Sequence, residues 1–557
     1  MKEFPEIRRS TNSFKEMKEK YCLESGGLIV TTTYENPILK GDFSDPDAIR
    51  VGDDYYMISS SFTYFPGLPL LHSKDLVHWN IVNYIAKELP FEAYNHTMHK
   101  KGIWAPSIRY YNGEYYVYVC TPDEGLFLYK TKNPFGEWST YHVLRVTGWI
   151  DPCPIWDEEG NAYLIHAFAG SRAGINSMLF IHRMNEEGTK IIDNGRMVFD
   201  GRDNHHTTEG PKAYRRNGFY YIMAPAGGVP SGWQLVMRSK NIYGPYEVKI
   251  TLHQGDSVIN GPHQGAYIEM ENGDDWFIHF QDRGPYGRIT HLQPVRWEDD
   301  WPLMGVDTNG DGIGEPVITY AVPVEQTKEL LNQWKQLYEK YNIKAIALPE
   351  ISDDFSCEKL GLQWQWQANP NNNWYSLSQN PGHLRLFAYR SERTHSLFHA
   401  PWFLSHLMQQ ETFCVTTKVS LNHCEIGDRA GIAMMGYQYS YLAIEQDQGQ
   451  NMVKRYRGIA KEYSIYEQEL VEEVCEESRT VQRNEILLCM EVMEEGIIQY
   501  SYSEDGKTFQ PIGNTVSATP GGWTGARPGI FCGNFRGQVS AGYADFEYYH
   551  VRNQDKS

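Results

Sequence analysis

No run of apolar residues in this 557-residue chain is long enough to cross a bilayer as a helix, so a membrane-spanning helix is excluded on length. Positive charge is short as well. Lys and Arg total 51 against 70 Asp and Glu, a net charge of -19. A phosphate backbone would be repelled, which argues against nucleic acid as a partner. Cysteine is sparse and unpatterned, with nine residues (Cys22, Cys120, Cys153, Cys357, Cys414, Cys424, Cys475, Cys489, Cys532) at no paired spacing. That odd count excludes a disulfide framework and leads us to expect reduced thiols and a cytoplasmic protein. Residues 1–33 mix Lys, Arg and Glu and lack the apolar core of a signal peptide. They are expected to be either an extension docked on the main fold or a non-native stretch. In the second case translation would begin near Val30, with Gly26-Gly27 read from a ribosome-binding site.

Aromatic residues, in contrast, are abundant at 14% of the chain, including 38 Tyr and 15 Trp. They recur in one pattern. Asp45-Pro46 leads into a short apolar strand, a turn at Gly52-Asp53-Asp54, and a return strand Tyr55-Tyr56-Met57-Ile58. Further copies follow: Trp104 to Val119 turning at Asn112-Gly113, Asp151 to Phe168 at Gly160-Asn161, Glu209 to Ala224 at Asn217-Gly218, and Pro262 to Phe280 at Asn272-Gly273. Turn residues between β-rich runs predict hairpins. The anchors Asp45, Ala105, Asp151, Glu209 and His263 lie 60, 46, 58 and 54 residues apart. A hairpin repeating at this period predicts propeller blades, five of them.

The remaining chain reads differently. Gly305 to Glu315 has the Asp307, Asn309, Asp311 spacing of half a calcium loop. Ile318 stands where the bidentate glutamate belongs, so a plain turn is expected. Leu330, Leu331, Trp334, Leu337 and Tyr338 fall at helical spacing and predict a helix over 328–341. From Ile351 onward, short alternating strands such as His383 to Phe387, Phe413 to Val419, Gly431 to Met435 and Ile497 to Ser501 predict an antiparallel sandwich. The expected class is therefore all-β, a five-bladed β-propeller followed by an antiparallel β-sandwich. The expected divisions are an extension at 1–33, the propeller at 34–322, a linker with a short helix at 323–350, and the sandwich at 351–557.

In a propeller the innermost strands run along a central axis, so equivalent residues at their starts ring one mouth. Here that ring holds Asp45, Trp104-Ala105, Asp151, Glu209 and His263. Like charges brought together push their pKa values apart, so one carboxyl can stay protonated while another is ionised. Glycoside hydrolysis asks for that pair, an acid for the leaving oxygen and a base for water.

These residues also carry a family resemblance. Asn36-Pro37, Asp45-Pro46, Gly52-Asp53-Asp54-Tyr55-Tyr56, Phe65-Pro66-Gly67, His72-Ser73-Lys74-Asp75-Leu76, Gly102-Ile103-Trp104-Ala105-Pro106, Asp151-Pro152, Thr208-Glu209-Gly210-Pro211 and Gly287-Arg288 appear in an order that resembles glycoside hydrolase family 43. Asp353-Asp354-Phe355, Gly431-Ile432 and Ala544-Asp545-Phe546 resemble the sandwich attached to that family's xylosidases. The resemblance implies an inverting exo-glycosidase. Asp45 would be the general base, Glu209 the general acid, and Asp151 the residue that orients the acid and tunes its pKa. It also implies Phe62 and Trp104 as pocket walls and Arg288 as a ligand of sugar hydroxyls or of a carboxylate. Trp233 would form a wall of the leaving-group subsite, since Val229-Pro230 replace the small polar residue usual after the paired glycines. Trp523 would reach over the pocket from the sandwich. His263 matches an axial histidine that sits near a cation or water, and Asp353 and Asp545 would share a structural calcium. No cofactor is required for the chemistry.

The expected substrate is a xylo-oligosaccharide cut from its non-reducing end, with an α-L-arabinofuranoside as the nearest rival. A carbohydrate-binding protein on an inactive propeller is a rival of a different class, disfavoured by the presence of all three carboxylates. A homo-oligomer is also compatible with the sequence.

Overall fold

The computed structural model describes residues 32–390, 396–447, 449–460 and 470–553. The expectations for residues 1–31, Val30 included, lie outside them. Five antiparallel sheets follow one another in sequence, with inner strands at Asp47–Val51, Pro106–Tyr111, Trp149–Trp156, Lys212–Arg216 and His263–Ile268. Each of the four later sheets has four strands in simple up-and-down order. The first gains a fifth from Ile346–Ala347, which pairs with Asn80–Ala86.

The aromatic hairpins fold this way because both faces of each blade are covered. Successive side chains on a strand point to opposite faces. In Asp54–Ile58, Tyr55 and Met57 join a core shared with the fifth blade, while Tyr56 and Ile58 join one shared with the second. Three further cores fill the other gaps between neighbouring blades. A strand buried on both sides needs a continuous apolar and aromatic run instead of an alternating one. The sequences YYVYV and FYYIMA supply it.

No strand of the first blade completes the last, so the ring is closed from outside. Thr33–Glu35 pairs with Thr319–Ala321. Asn36 then exchanges two hydrogen bonds with the backbone of Leu292, its Nδ2 donating to the carbonyl (2.8 Å) and its Oδ1 accepting the N–H (2.8 Å). The helix Lys328–Lys340 is capped by the Thr327 hydroxyl. It is held to the first blade by Tyr338, whose hydroxyl lies 3.0 Å from His72 Nδ1. The Gly305–Glu315 segment is a turn folded on its own side chains. Asp307 accepts the N–H groups of Gly310 and Gly312.

The C-terminal part is a sandwich of two large sheets around a single apolar core. It docks on the propeller through a two-way backbone bridge between Phe65 and Trp366 (2.9 and 2.6 Å) and through Asn369, which exchanges bonds with the backbone of Leu89. The expected calcium between Asp353 and Asp545 does not survive the strand register. Asp353 lies opposite Tyr549, four residues along the last strand from Asp545. Asp353 instead accepts Trp364 Nε1 (2.8 Å) and the N–H of Phe355 (2.9 Å). Asp545 faces Arg385 across the sheet and takes its guanidinium in two bonds of 2.7 and 2.8 Å. A side-chain cation occupies the place assigned to the metal.

Candidate active site

The mouth at which the inner strands begin is shaped by unusual backbone. Asp45, Asp151 and Gln264 take positive φ of 54°, 56° and 34°, and Gly210, beside Glu209, takes 58°. Two of these lips are register shifts, between Ile150 and Cys153 and between His263 and Gly265. Left-handed backbone at a residue other than glycine costs about 1–3 kcal/mol and persists where the surroundings impose it. Here it recurs at the lips of the inner strands, where the catalytic candidates lie.

Asp45 is buried and its contacts are donors. Its Oδ2 accepts the hydroxyls of Ser60 (2.5 Å) and Ser44 (3.1 Å), and its Oδ1 accepts Arg288 Nη1 at 3.2 Å. That arrangement leaves a carboxylate oriented as a proton acceptor. Arg288 also donates to Ser44 Oγ (2.7 Å) and stacks over Phe280.

Asp151 is buried. Its Oδ2 accepts the N–H of Gly210 at 2.7 Å, with Gln264 Nε2 at 3.5 Å. Gly210 directly follows Glu209, so Asp151 fixes the backbone that carries that residue. A Cβ at Gly210 would meet Gln264 at 2.7 Å, which keeps the position small. Burial raises the Asp151 carboxyl, with the negative charge of Asp45 adding to it. Buried Lys212 and the Gly210 N–H pull the other way.

Glu209 differs. Its side chain is 27% exposed, and the His263 imidazole lies beside it, Nε2 to Oε1 at 3.5 Å. Burial is the first cause that lifts its pKa, followed by repulsion from Asp151 and then Asp45, and Arg288 offsets only part, leaving it at about 8. A carboxyl in that range is protonated at neutral pH. The like-charge effect expected from Asp151 is present, and desolvation exceeds it. The three acids act on one another, and Arg288 acts on Asp151 and Glu209, so they share one electrostatic space.

Aromatic rings wall this space. Phe62 meets Trp104 edge-on at 6.5 Å, and Trp104 meets Trp523 edge-on at 6.3 Å. Trp523 comes from the sandwich, has a positive φ of 68°, and is 42% exposed. Trp233 sits on the opposite side of the mouth against His205 and His206. A side chain at Gly227 would strike its ring, so that glycine makes room for it.

His263 is buried with neither ring nitrogen hydrogen-bonded, and burial holds its pKa near 3, so it is a neutral imidazole. That geometry suits one water or a hydrated cation on the axis. A calcium ion stripped of its water wants six or more oxygens. No group of three or more His, Cys, Asp or Glu side chains placed to hold a metal occurs among the described residues. Sequence reasoning missed Ser44, Ser60, Gln264, Lys212 and Asp42 as parts of this site. Only Ser44 and Asp42 carried a local signal, by flanking Asp45.

Residues 34–302 match the model of glycosyl hydrolases family 43, and residues 352–552 match the beta xylosidase C-terminal concanavalin A-like domain. The chain is 37% identical over 507 residues to the "Putative beta-xylosidase" of Xylanibacter ruminicola, covering 89% of this chain and 86% of that one. It is 32% identical over 570 residues to a beta-xylosidase of Formosa agariphila, covering 93% and 90%. Among solved structures, it is similar to the GH43 protein BlXynB of Bacillus licheniformis, with a TM-score of 0.78 at 25% identity over 94% of this chain and all of that one. With its propeller, its attached sandwich and its ring of three carboxylates, the chain belongs to glycoside hydrolase family 43.

Proposed function

We propose that this protein is an inverting exo-acting β-xylosidase that releases xylose from the non-reducing ends of xylo-oligosaccharides. The observation that carries the reading is the asymmetry of the acids. Asp45 is surrounded by donors, whereas Glu209 is held protonated beside it.

Asp45 removes a proton from water as that water attacks the anomeric carbon from one face of the sugar. Glu209 delivers its proton to the glycosidic oxygen on the other face, and the bond to the leaving alcohol breaks. Water in the gap requires the two carboxyls to stand about 6.5–9.5 Å apart, and the product has inverted configuration. Asp151 supports the step through the Gly210 N–H and through its charge. Phe62 and Trp104 exclude water from the sugar's apolar face, and Arg288 keeps Asp45 oriented. Trp523 closes one side of the mouth, which favours a pocket for a chain end over a groove for a polymer. The buried imidazole of His263, with both ring nitrogens unpartnered, would hold an ordered water or a hydrated cation.

A second reading has a specific basis. The chain is 28% identical over 555 residues to a non-reducing end alpha-L-arabinofuranosidase of Bacteroides ovatus. Xylopyranosides and arabinofuranosides offer similar hydroxyl patterns, and one pocket can take both. Hydrolysis of xylobiose followed by proton NMR tests the main reading. The first product formed should be α-xylose. A β-anomer first rules out inversion, and a strong preference for nitrophenyl α-L-arabinofuranoside over nitrophenyl β-xyloside makes the second reading the main one.

A further inference from the structure

Asp42 lies three residues before Asp45, in the segment leading into the first blade, and is buried. Its two oxygens are used by two different parts of the molecule. Oδ1 accepts the N–H of Arg288 at 2.8 Å, and Oδ2 accepts the N–H of Gly525 at 2.8 Å. Arg288 belongs to the fifth blade and touches Asp45. Gly525 belongs to the sandwich loop that carries Trp523. One carboxylate therefore joins the residue that holds the catalytic base to the loop that walls the mouth.

The surroundings are built for this contact. Gly287 has φ of 79°, and a Cβ there would lie 2.4 Å from Asp42 Cγ. A Cβ on Gly525 would lie 2.7 Å from Gly287 N. Neither position tolerates a side chain while the two turns meet over Asp42. The N–H of Ala526 adds a bond to Pro285 O at 2.7 Å, so the loop is sewn to the same turn of the fifth blade. Arg527 follows, buried, with its guanidinium on Gln365 Oε1 (2.6 Å) and over the Tyr64 ring. No carboxylate lies within salt-bridge distance of it among the described residues, and Asp42 is the nearby acid whose charge acts on it.

We propose that Asp42 is a positioning residue that couples the sandwich loop bearing Trp523 to Arg288, so that closing the pocket and orienting Asp45 are one structural event. The kinetic consequence rests on the glycosidase reading, whereas the link itself does not. A carboxylate suits the role because both partners are donors. Asparagine would turn its Nδ2 toward one of the two N–H groups and keep only one bond.

The test uses the full-length protein as wild type, Asp42→Asn, Asp42→Ala and Gly525→Ala, the last approaching the same contact from the loop side should Asp42→Ala fold poorly. Misplacing catalytic groups by a fraction of an ångström to an ångström costs on the order of ten- to a hundredfold. That loss of kcat/KM on xylobiose is expected for Asp42→Ala and Gly525→Ala, with a smaller loss for Asp42→Asn. The alkaline limb of kcat/KM should also move up. Glu209 is faced by Asp45, Asp151, Arg288 and His263, and of these Arg288 is the group that lowers its pKa. A receding Arg288 leaves Glu209 protonated to higher pH. In Asp42→Ala and Gly525→Ala, amide hydrogen exchange at Gly525 and Arg288 should quicken together. If only thermal stability falls while kcat/KM, the limb and the two exchange rates stay as in wild type, Asp42 is structural and the proposal is overturned. Quickened exchange at one of the two amides alone in those two variants overturns the coupling. A wild-type protein inactive on every pentoside would sink the glycosidase reading instead, and the exchange rates would still decide the link.

Discussion

The two ends of the propeller channel are made by the same five strands and solve the same electrostatic problem in opposite ways. At the far end, a cavity of about 500 Å3 is lined by Arg50, Arg109, Arg215, Glu269 and Glu271, among others. Charge there is matched. Arg50 meets Glu271 at 2.8 Å, Arg215 meets Glu158 at 2.6 Å, and Arg109 meets Asp47 at 2.7 Å. At the near end, three carboxylates share two cations, the Arg288 guanidinium, which among the acids pairs with Asp45 alone in the described residues, and the buried Lys212 ammonium, which acts on Asp151 without an ion-pair contact. Asp45 and Asp47 are two residues apart on one strand lead, yet one opens on the catalytic mouth and the other is closed in a pair. A fold selected only for stability would complete the near end as it does the far one. The unmatched end is where the protein gives up stability for proton chemistry.

The contrast breaks most plainly at the near end. Asp45→Ala should lower kcat by about a thousandfold or more, since it removes the base and a placed acid or base contributes on the order of 10²–10⁴. Glu209→Ala should do the same on xylobiose but lose far less on a nitrophenyl xyloside, whose leaving group needs little protonation. Equal losses on both substrates would separate Glu209 from the acid role. Asp47→Ala, which removes the partner of the far-end residue Arg109, should act on stability instead. It strands the Arg109 guanidinium, buried against Tyr214 and Cys153. Breaking one partner of a buried pair costs about 3–5 kcal/mol. Denaturant unfolding measures this, and the folded variant should keep kcat within a few fold. If Asp47→Ala silences the enzyme as Asp45→Ala does, the two ends are not distinct.

A pH titration sharpens the comparison. Glu209 must be protonated to act as an acid, so activity falls as pH rises through its pKa, and kcat/KM should show an alkaline limb near 8. Stability carries the same signature. Between the ordinary glutamate pKa of 4.5 and about 8, the native state holds a proton that the unfolded chain has released. The native state then binds more protons, and stability declines as pH rises across that window. Glu209→Gln removes this slope. It should lose most of its activity on xylobiose and, at pH 8, be more stable than wild type in thermal unfolding. A variant less stable than wild type at that pH would show that Glu209 carries no burial penalty.

These charges were unequally legible in the sequence. The blades were readable because each strand is buried on two faces, which forces aromatic runs that recur with the turn residues between them. The carboxylates were readable because they stand at repeat positions. Their partners were not. Three aspartates lie within Gly41 to Asp47, and although Pro46 marks Asp45 as Pro152 marks Asp151, nothing local tells what Asp42 or Asp47 does. What separates them is the distant residue each one meets, Arg288, Gly525 or Arg109. The sandwich shows the same limit. Asp353-Asp354-Phe355 and Asp545-Phe546 are similar short acidic motifs and invited a shared metal, but the register pairs Asp353 with Tyr549 and Asp545 with Arg385. Register depends on the whole strand and turn set, so two short motifs could not disclose it.

The smallest expected effect bears on how the second region serves the first. Among the described residues, Trp523 meets the site through the edge of Trp104, with Lys100 lying 5.5 Å from its ring centroid. It contacts neither Asp45 nor Glu209, and none of the pKa shifts at the acids involves its loop. Trp523→Ala should therefore leave the pH profile and the inversion unchanged and act on binding. An aromatic pair is worth about 0.5–1.5 kcal/mol beyond its buried area, and sugar stacking on the exposed face adds to that. The expected result is a KM for xylobiose raised by about three- to tenfold, with kcat changed little. A shorter aglycone that does not reach the ring should feel less of the loss. If Trp523→Ala instead lowered kcat as Asp45→Ala does, the sandwich would be part of the chemistry itself, and the division between a catalytic ring and a closing domain would have to be redrawn.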